Sequence, residues 1–274
     1  MMLALQILML AVATAGVPGA KVPSYDDYVV VLGYVDSEGR VDYAGLKDER
    51  ASLDAFVASL DALAPATYAS WSDPDKIAFW INAYNALTLR LVVDHYPIAP
   101  AQPKAGFPKA GFPKNSIGQI PGVWDQKRFG VMGQALTLDE IEHQRLRAAF
   151  KEPRIHMALV CAAVSCPKLR NEPYRGATLD DQLDAQARVF LSDLRKFHID
   201  RESGEVWTSR IFEWFADDFL PQASATDEPF VAQRKAITAF ASKYVSAADR
   251  RYLETADFKV AFFEYDWTLN EQPR

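Results

Sequence analysis

The chain has 274 residues, with 30 Lys and Arg against 36 Asp and Glu, for a net charge of −6. Without a cluster of Lys and Arg, that balance argues against a surface built to track phosphates, so no nucleic-acid partner is expected. Apolar residues make up 49% of the chain and aromatic ones 12%, enough for a globular protein with a sizeable core.

Residues Leu3 to Ala13 form an apolar run that ends in Ala13-Thr14-Ala15. This reads as a signal peptide over residues 1–15, although no positive charge precedes the run. The run is shorter than the ~20 residues that span a bilayer. The expectation is an exported chain, periplasmic or secreted, with no integral membrane segment after signal removal. Residues 25–274 then make one globular domain. Tyr25 to Leu32 alternates weakly, Asp36-Ser37-Glu38-Gly39 reads as a turn, and Val41 to Leu63 carries apolar residues at helical spacing.

The stretch from Ser72 to Pro97 organises the rest. Ser72 is a good N-cap, Pro74 and Asp75 suit a first turn, and Pro97 stops the helix. Between them the apolar residues occupy nearly every side of a helical wheel, the mark of a buried helix. Asn82 and Asn85 lie within it, one turn apart, and as buried amides they need partners. They either tie the helix to neighbouring backbone or line a site.

Farther on, Lys104 to Pro108 is repeated at once as Lys109 to Pro113, a loop insertion rather than a repeat architecture. A hairpin is predicted within Trp124 to Leu138, turning at Gly133-Gln134. Thr137-Leu138-Asp139-Glu140 then fits a capping box that opens the helix carrying Glu142 and His143. Arg154 to Ala163 reads as a buried strand and Thr178 to Leu194 as a helix. Ser203-Gly204 marks a second hairpin, further helices begin at Ile211 and span Phe230 to Tyr244, and Lys259 to Leu269 reads as a last strand. The predicted class is α+β: a buried central helix on a mainly antiparallel sheet, with surrounding helices.

Cys161 and Cys166 are the two cysteines. Three readings stay open for them. A disulfide needs Cα atoms within about 7 Å, and so a sharp bend before Pro167. A nucleophilic Cys161 needs a base. On a straight strand His156 faces away from Cys161, which makes His143 the better base, with Glu142 beside it. In the third reading the cysteine is a small buried hydrophobe. Asn82, Asn85 or Asp266 could orient the imidazole or donate to an oxyanion, and Tyr84 joins the asparagines as a ligand contact. His156 and Cys166 are second choices for base and nucleophile. No metal-ligand spacing and no Gly-rich phosphate loop is present, so no metal and no cofactor is expected.

Five strings taken together are familiar: AFWINAYNALTLRLV, LDEIEHQRLR, RIHMALVCAAVSCPKLRNEPY, SRIFEWFADDF and YDWTLN. The chain resembles the bacterial branch of the family called domain of unknown function 547, over about Val41 to Asn270. By its name that family implies little about activity. Its motif positions fall here on Trp80, Asn82, Tyr84, Asn85, Glu142, His143, His156, Cys161, Cys166, Trp214, Asp218 and Asp266. The layout is also similar to the papain and transglutaminase superfamily, where the nucleophilic cysteine starts the central helix; here that helix offers Asn82 and Asn85. The leading expectation is a thiol-dependent hydrolase or acyltransferase acting on an amide, peptide or thiol compound. The alternatives are a non-catalytic module that binds a small molecule or peptide with the same residues, and a purely structural cluster.

Overall fold

A computed structural model describes residues 23–98, 109–220 and 229–273. The predicted signal segment and the first copy of the doubled loop lie outside the described residues. The central helix, α5, runs Asp73–His95, and its ends are those that local chemistry dictates. Ser72 Oγ accepts from the Asp75 amide at 3.3 Å, with Asp73 and Asp75 at the positive end of the dipole. From Ile77 to Val93 every residue except Arg90 is buried.

Three helices precede α5 and a short fourth leads into it: α1 Asp26–Leu32, α2 Tyr43–Asp48, α3 Ala51–Ala62 and α4 Pro65–Ala69. The Tyr25–Leu32 stretch, which alternates weakly in sequence, is thus a helix. It buries Tyr28, Val31 and Leu32 and stacks Tyr28 on Phe56 of α3 at 4.6 Å. The central helix packs chiefly against α2, α3, the turn at Gly176–Thr178 and the segment after the first hairpin rather than on a sheet. Arg50 and Arg90 share Asp54 and Asp94 in a four-charge network that joins α3 to α5.

The first hairpin pairs β1 Phe129–Val131 with β2 Gln134–Leu136, with Val131 opposite Gln134. The turn is therefore Met132-Gly133, one residue before its expected place, and both residues have positive φ (53° and 70°). The capping box forms as predicted: Thr137 Oγ1 accepts from the Glu140 amide at 3.1 Å, and Glu140 Oε2 accepts from the Thr137 amide at 2.8 Å. It opens a π-helix over Glu140–Arg147, continued by α6 Ala148–Phe150.

The predicted strand over 154–163 is not a strand. Pro153–Met157 is a 3₁₀ turn, and an irregular segment leads from it to the cysteines. Its backbone is satisfied by side chains instead of a ladder. Asn85 Nδ2 donates to Ala158 O at 3.0 Å and its Oδ1 accepts from the Val160 amide at 2.9 Å. Asn82 holds Tyr174 in the same two-bond manner, at 2.8 and 2.9 Å. Each asparagine acts as one extra peptide unit projecting from α5. The loop after the cysteines is fixed by α7 (Leu179–Ser192), whose Gln186 donates to Met157 O and Lys168 O.

Beyond α7, β3 Phe197–Asp200 and β4 Glu205–Thr208 form the predicted antiparallel hairpin, and β5 Lys259–Phe262 adds to β4 in parallel. The last strand is shorter than expected because the chain leaves the sheet after Phe262. Helices α8 Ile211–Trp214, α9 Ala216–Phe219 and α11 Ala247–Thr255 pack around α10 Pro229–Ala241, which lies against β5. Helices with two small sheets make the class α+β. Buried side chains fall into two groups, one around α5 and one around Phe190, Phe212 and Phe240, and α7 contributes to both.

Candidate functional site

The site lies where these two groups meet. A pocket of about 140 Å³ is lined by Tyr84 from α5, Glu142 from the π-helix, His156, Cys161, and a set of aromatic residues from the second half of the chain. Glu142 is only partly exposed. Desolvation pushes its carboxyl up to about 7, against the pull of Tyr84 and the Arg147 charge. A π-helical turn takes up one residue more than an α-turn and is often found at functional sites. Consecutive residues on it go to different places, Glu142 into the pocket and His143 into a neighbouring cleft of about 600 Å³ with Arg147 and Asp218.

Cys161 and Cys166 are joined in a disulfide with Cα atoms 6.1 Å apart. Of the three readings of the cysteines this is the one the fold realises. The sharp bend it needs is supplied by Ala162, at φ 58°, a left-handed conformation uncommon for a residue with a Cβ. The reading of the two sulfurs on opposite faces fails because the strand it assumed is absent. In this form neither sulfur is a thiol. The Tyr265 hydroxyl lies 3.4 Å from Cys161 Sγ and 3.3 Å from Cys166 Sγ. Cys166 is buried, while Cys161 is partly exposed at the pocket.

His143, the expected base, does not line the Cys161 pocket. Its Nδ1 is 2.8 Å from Arg147 Nη1, and burial followed by the Arg147 charge lowers its pKa. His156 does line the pocket, since the strand that was to turn it away is missing. Its Nε2 is 2.7 Å from Asp218 Oδ2, so that nitrogen carries the proton, and its ring stacks on Phe215 at 4.2 Å. Desolvation lowers its pKa despite the carboxylate. Desolvation alone would raise Asp218, but hydrogen bonds from His156 and Arg147 outweigh it and hold the carboxyl well below the usual range.

Asn82 and Asn85, expected as ligand contacts or oxyanion donors, are buried and do not line the Cys161 pocket. Their amides are engaged by backbone. Asp266 is exposed and accepts from the Thr268 amide at 2.9 Å, remote from an orienting role. The residues missed are its neighbours Tyr265 and Trp267, which line the pocket with Trp124. Their i, i+2 spacing around Asp266 was the available signal, because alternate residues of an extended segment share a face. Among the described residues no group of three or more His, Cys, Asp or Glu is placed to hold a metal ion, and no helix is long and apolar enough to cross a membrane.

Residues 68–191 match the family described as protein of unknown function, DUF547. The chain carries a DUF547 region. No curated protein and no solved structure matches the chain. The DUF547 match is narrower than the span suggested by the motif strings. It takes in Tyr84, Glu142, His156 and the disulfide, and leaves out Trp214, Asp218, Tyr265 and Trp267. The pocket is thus floored by the DUF547 region and closed by residues beyond it. The papain and transglutaminase analogy gains nothing here, since the helix at the centre of the DUF547 region starts with Asp73 and Pro74, and the cysteines sit in a loop.

Proposed function

We propose that the chain is an exported small-ligand-binding protein whose ligand sits in the aromatic pocket and exchanges a proton with, or is held by, Glu142. The observation that carries the reading is a carboxyl kept near neutrality in a desolvated pocket, an arrangement that costs stability and is concentrated at functional sites. The sign of that cost can be tested. Glu142 has a raised folded pKa, so its contribution is most favourable below about 4.3, where the carboxyl is protonated in both states. It is lost as pH rises through about 7. Glu142→Gln keeps a polar group beside Tyr84 and removes the ionisation. The variant should be more stable than the parent by roughly 1–3 kcal/mol at pH 8 and no more stable at pH 4. Urea melts at the two pH values read this. In a thermal-shift screen of small fragments at pH 7, hits on the parent should disappear with Glu142→Gln. Equal stability at both pH values, with unchanged hits, removes Glu142 from the site.

A second reading is favoured by one observation: Cys161, His156 and Glu142 line the same pocket, and Asp218 orients His156. When the disulfide is reduced, this is a nucleophile, a base and an orienting group, the arrangement of thiol hydrolases and acyltransferases. His156 then replaces His143 as base. The disulfide itself supports an oxidising compartment and hence export. Intact-mass analysis of native protein, alkylated before and after reductant, addresses both points. The expected result is a mature N-terminus near Gly16, no labelling before reduction, and faster labelling of Cys161 than of buried Cys166 afterwards. Labelling of native protein without reductant, or an intact Met1, contradicts it.

A further inference from the structure

We propose that the pocket takes the head of an organic cation, a quaternary or fully alkylated ammonium group, held over the Glu142 carboxylate between the rings of Trp124, Trp214, Tyr265 and Trp267. This deepens the small-ligand reading above and rests on it.

Three observations point to this chemistry. The rings form one connected wall: Trp214 and Tyr265 have centroids 4.8 Å apart, Tyr265 and Trp267 4.6 Å, and Trp124 and Trp267 5.7 Å. Phe112, from the second copy of the doubled loop, buttresses that wall at 5.4 Å from Trp267. Ring faces carry negative potential and attract cations, most strongly where water is excluded.

Charge is the second observation. Glu142 is the one carboxyl among the residues lining the pocket, and no Lys or Arg is among them. Arg147, whose charge Glu142 feels, is committed to Asp218 and to His143 in the neighbouring cleft. Elsewhere the protein covers ring faces with its own cations, as with Arg145 over Trp80 and Arg234 over Phe258, and at the edge of the pocket Arg147 lies over Phe215. Among the described residues none of the four wall rings has a Lys or Arg cover; Trp214 and Trp267 lie nearly parallel at 6.1 Å, and a cation from outside would meet no resident one on this wall. Trp214 is 45% exposed and leaves a way in.

Size is the third. A pocket of about 140 Å³ compares with a cavity of about 150 Å³ that holds a single benzene ring, and drug-sized ligands need about 300 Å³ or more. It suits an alkylated ammonium head with the remainder of the molecule outside.

Choline and its uncharged isostere 3,3-dimethyl-1-butanol separate charge from shape. Each is titrated into the full chain at pH 8, with tryptophan fluorescence and the two-dimensional NMR spectrum as readouts. Choline should bind saturably and about tenfold or more tighter than the isostere. Glu142→Gln and Trp214→Leu should each weaken choline about tenfold, and Glu142→Gln should leave the isostere unchanged. Trp214 is exposed enough for that variant to fold, and its melting temperature checks this. Equal binding of the two probes overturns the cation assignment and leaves the small-ligand reading standing. Binding of neither also overturns it, and the fragment screen on Glu142→Gln then decides separately whether the pocket is a site.

Discussion

Replacing Asn85 with leucine should destabilise the protein by roughly 2–5 kcal/mol, read as a shift of the urea midpoint with an unchanged slope. The substitution keeps an apolar neighbour in a buried position but leaves two main-chain groups without partners. The Ala158 carbonyl now accepts from Asn85 Nδ2, and the Val160 amide donates to Asn85 Oδ1. Each stranded group costs about 1–3 kcal/mol where water cannot reach it. The effect should extend beyond stability, since the segment that Asn85 clamps leads directly into Leu159 and Cys161 of the pocket. A variant within about 0.5 kcal/mol of the parent, the range of an inert surface change, would mean that the clamp carries no weight.

Asp218→Ala should be nearly as costly, by roughly 2–4 kcal/mol near neutral pH. Breaking a buried pair at one partner typically costs about 3–5 kcal/mol; the figure is reduced here because Asp218 is 26% exposed and partly screened by solvent. The change leaves Arg147 without its carboxylate and the buried His156 Nε2–H without an acceptor. The effect has a definite pH dependence. The Asp218 pKa is depressed on folding, so its contribution is complete above the unfolded value of about 3.9 and lost as pH falls below it. His156 is also depressed, and the unfolded chain binds its proton first as pH falls below about 6.5. Asp218 holds the His156 pKa up against desolvation, so Asp218→Ala deepens that depression, and the difference between parent and variant should widen as pH falls from 7 to about 5 and shrink only below about 3.9. A difference that shrinks between pH 7 and pH 5 would contradict the assignment.

Local chemistry decides what is legible in this sequence. Ser72, Pro74 and Pro97 bound α5, Thr137 and Glu140 form their reciprocal cap, and Ser203-Gly204 turns its hairpin, because each signal acts within a few residues. The segment from Arg154 to Ala163 departs from its expected strand since an apolar run states burial and not conformation. What makes it irregular is Asn85, some seventy residues earlier, which replaces the ladder a strand would need. The π-helix is equally hidden: LDEIEHQRLR reads as α-helical, and no residue in it marks the wider turn. The disulfide turns on one left-handed alanine, Ala162, where sequence gives no reason to expect positive φ. The aromatic wall is masked in the same way, because the titratable Asp266 is the more conspicuous residue and the two rings flanking it are the ones that face the pocket.

The position of α7 bears on where this protein can be cut. Leu179 and Leu183 at its start belong to the group of buried side chains around α5, whereas Ala187, Phe190 and Leu191 at its end pack with those from the second half of the chain. The family match stops at residue 191, on the last turn of this helix. A fragment trimmed to the matched residues would lose Tyr28, Leu53 and Phe56 from one flank and present Phe190 and Leu191 to water on the other. It would be a sticky half-protein lacking most of the ring wall of its own pocket. The boundary of likeness and the boundary of autonomous folding are different lines here, and expression trials belong on the whole chain.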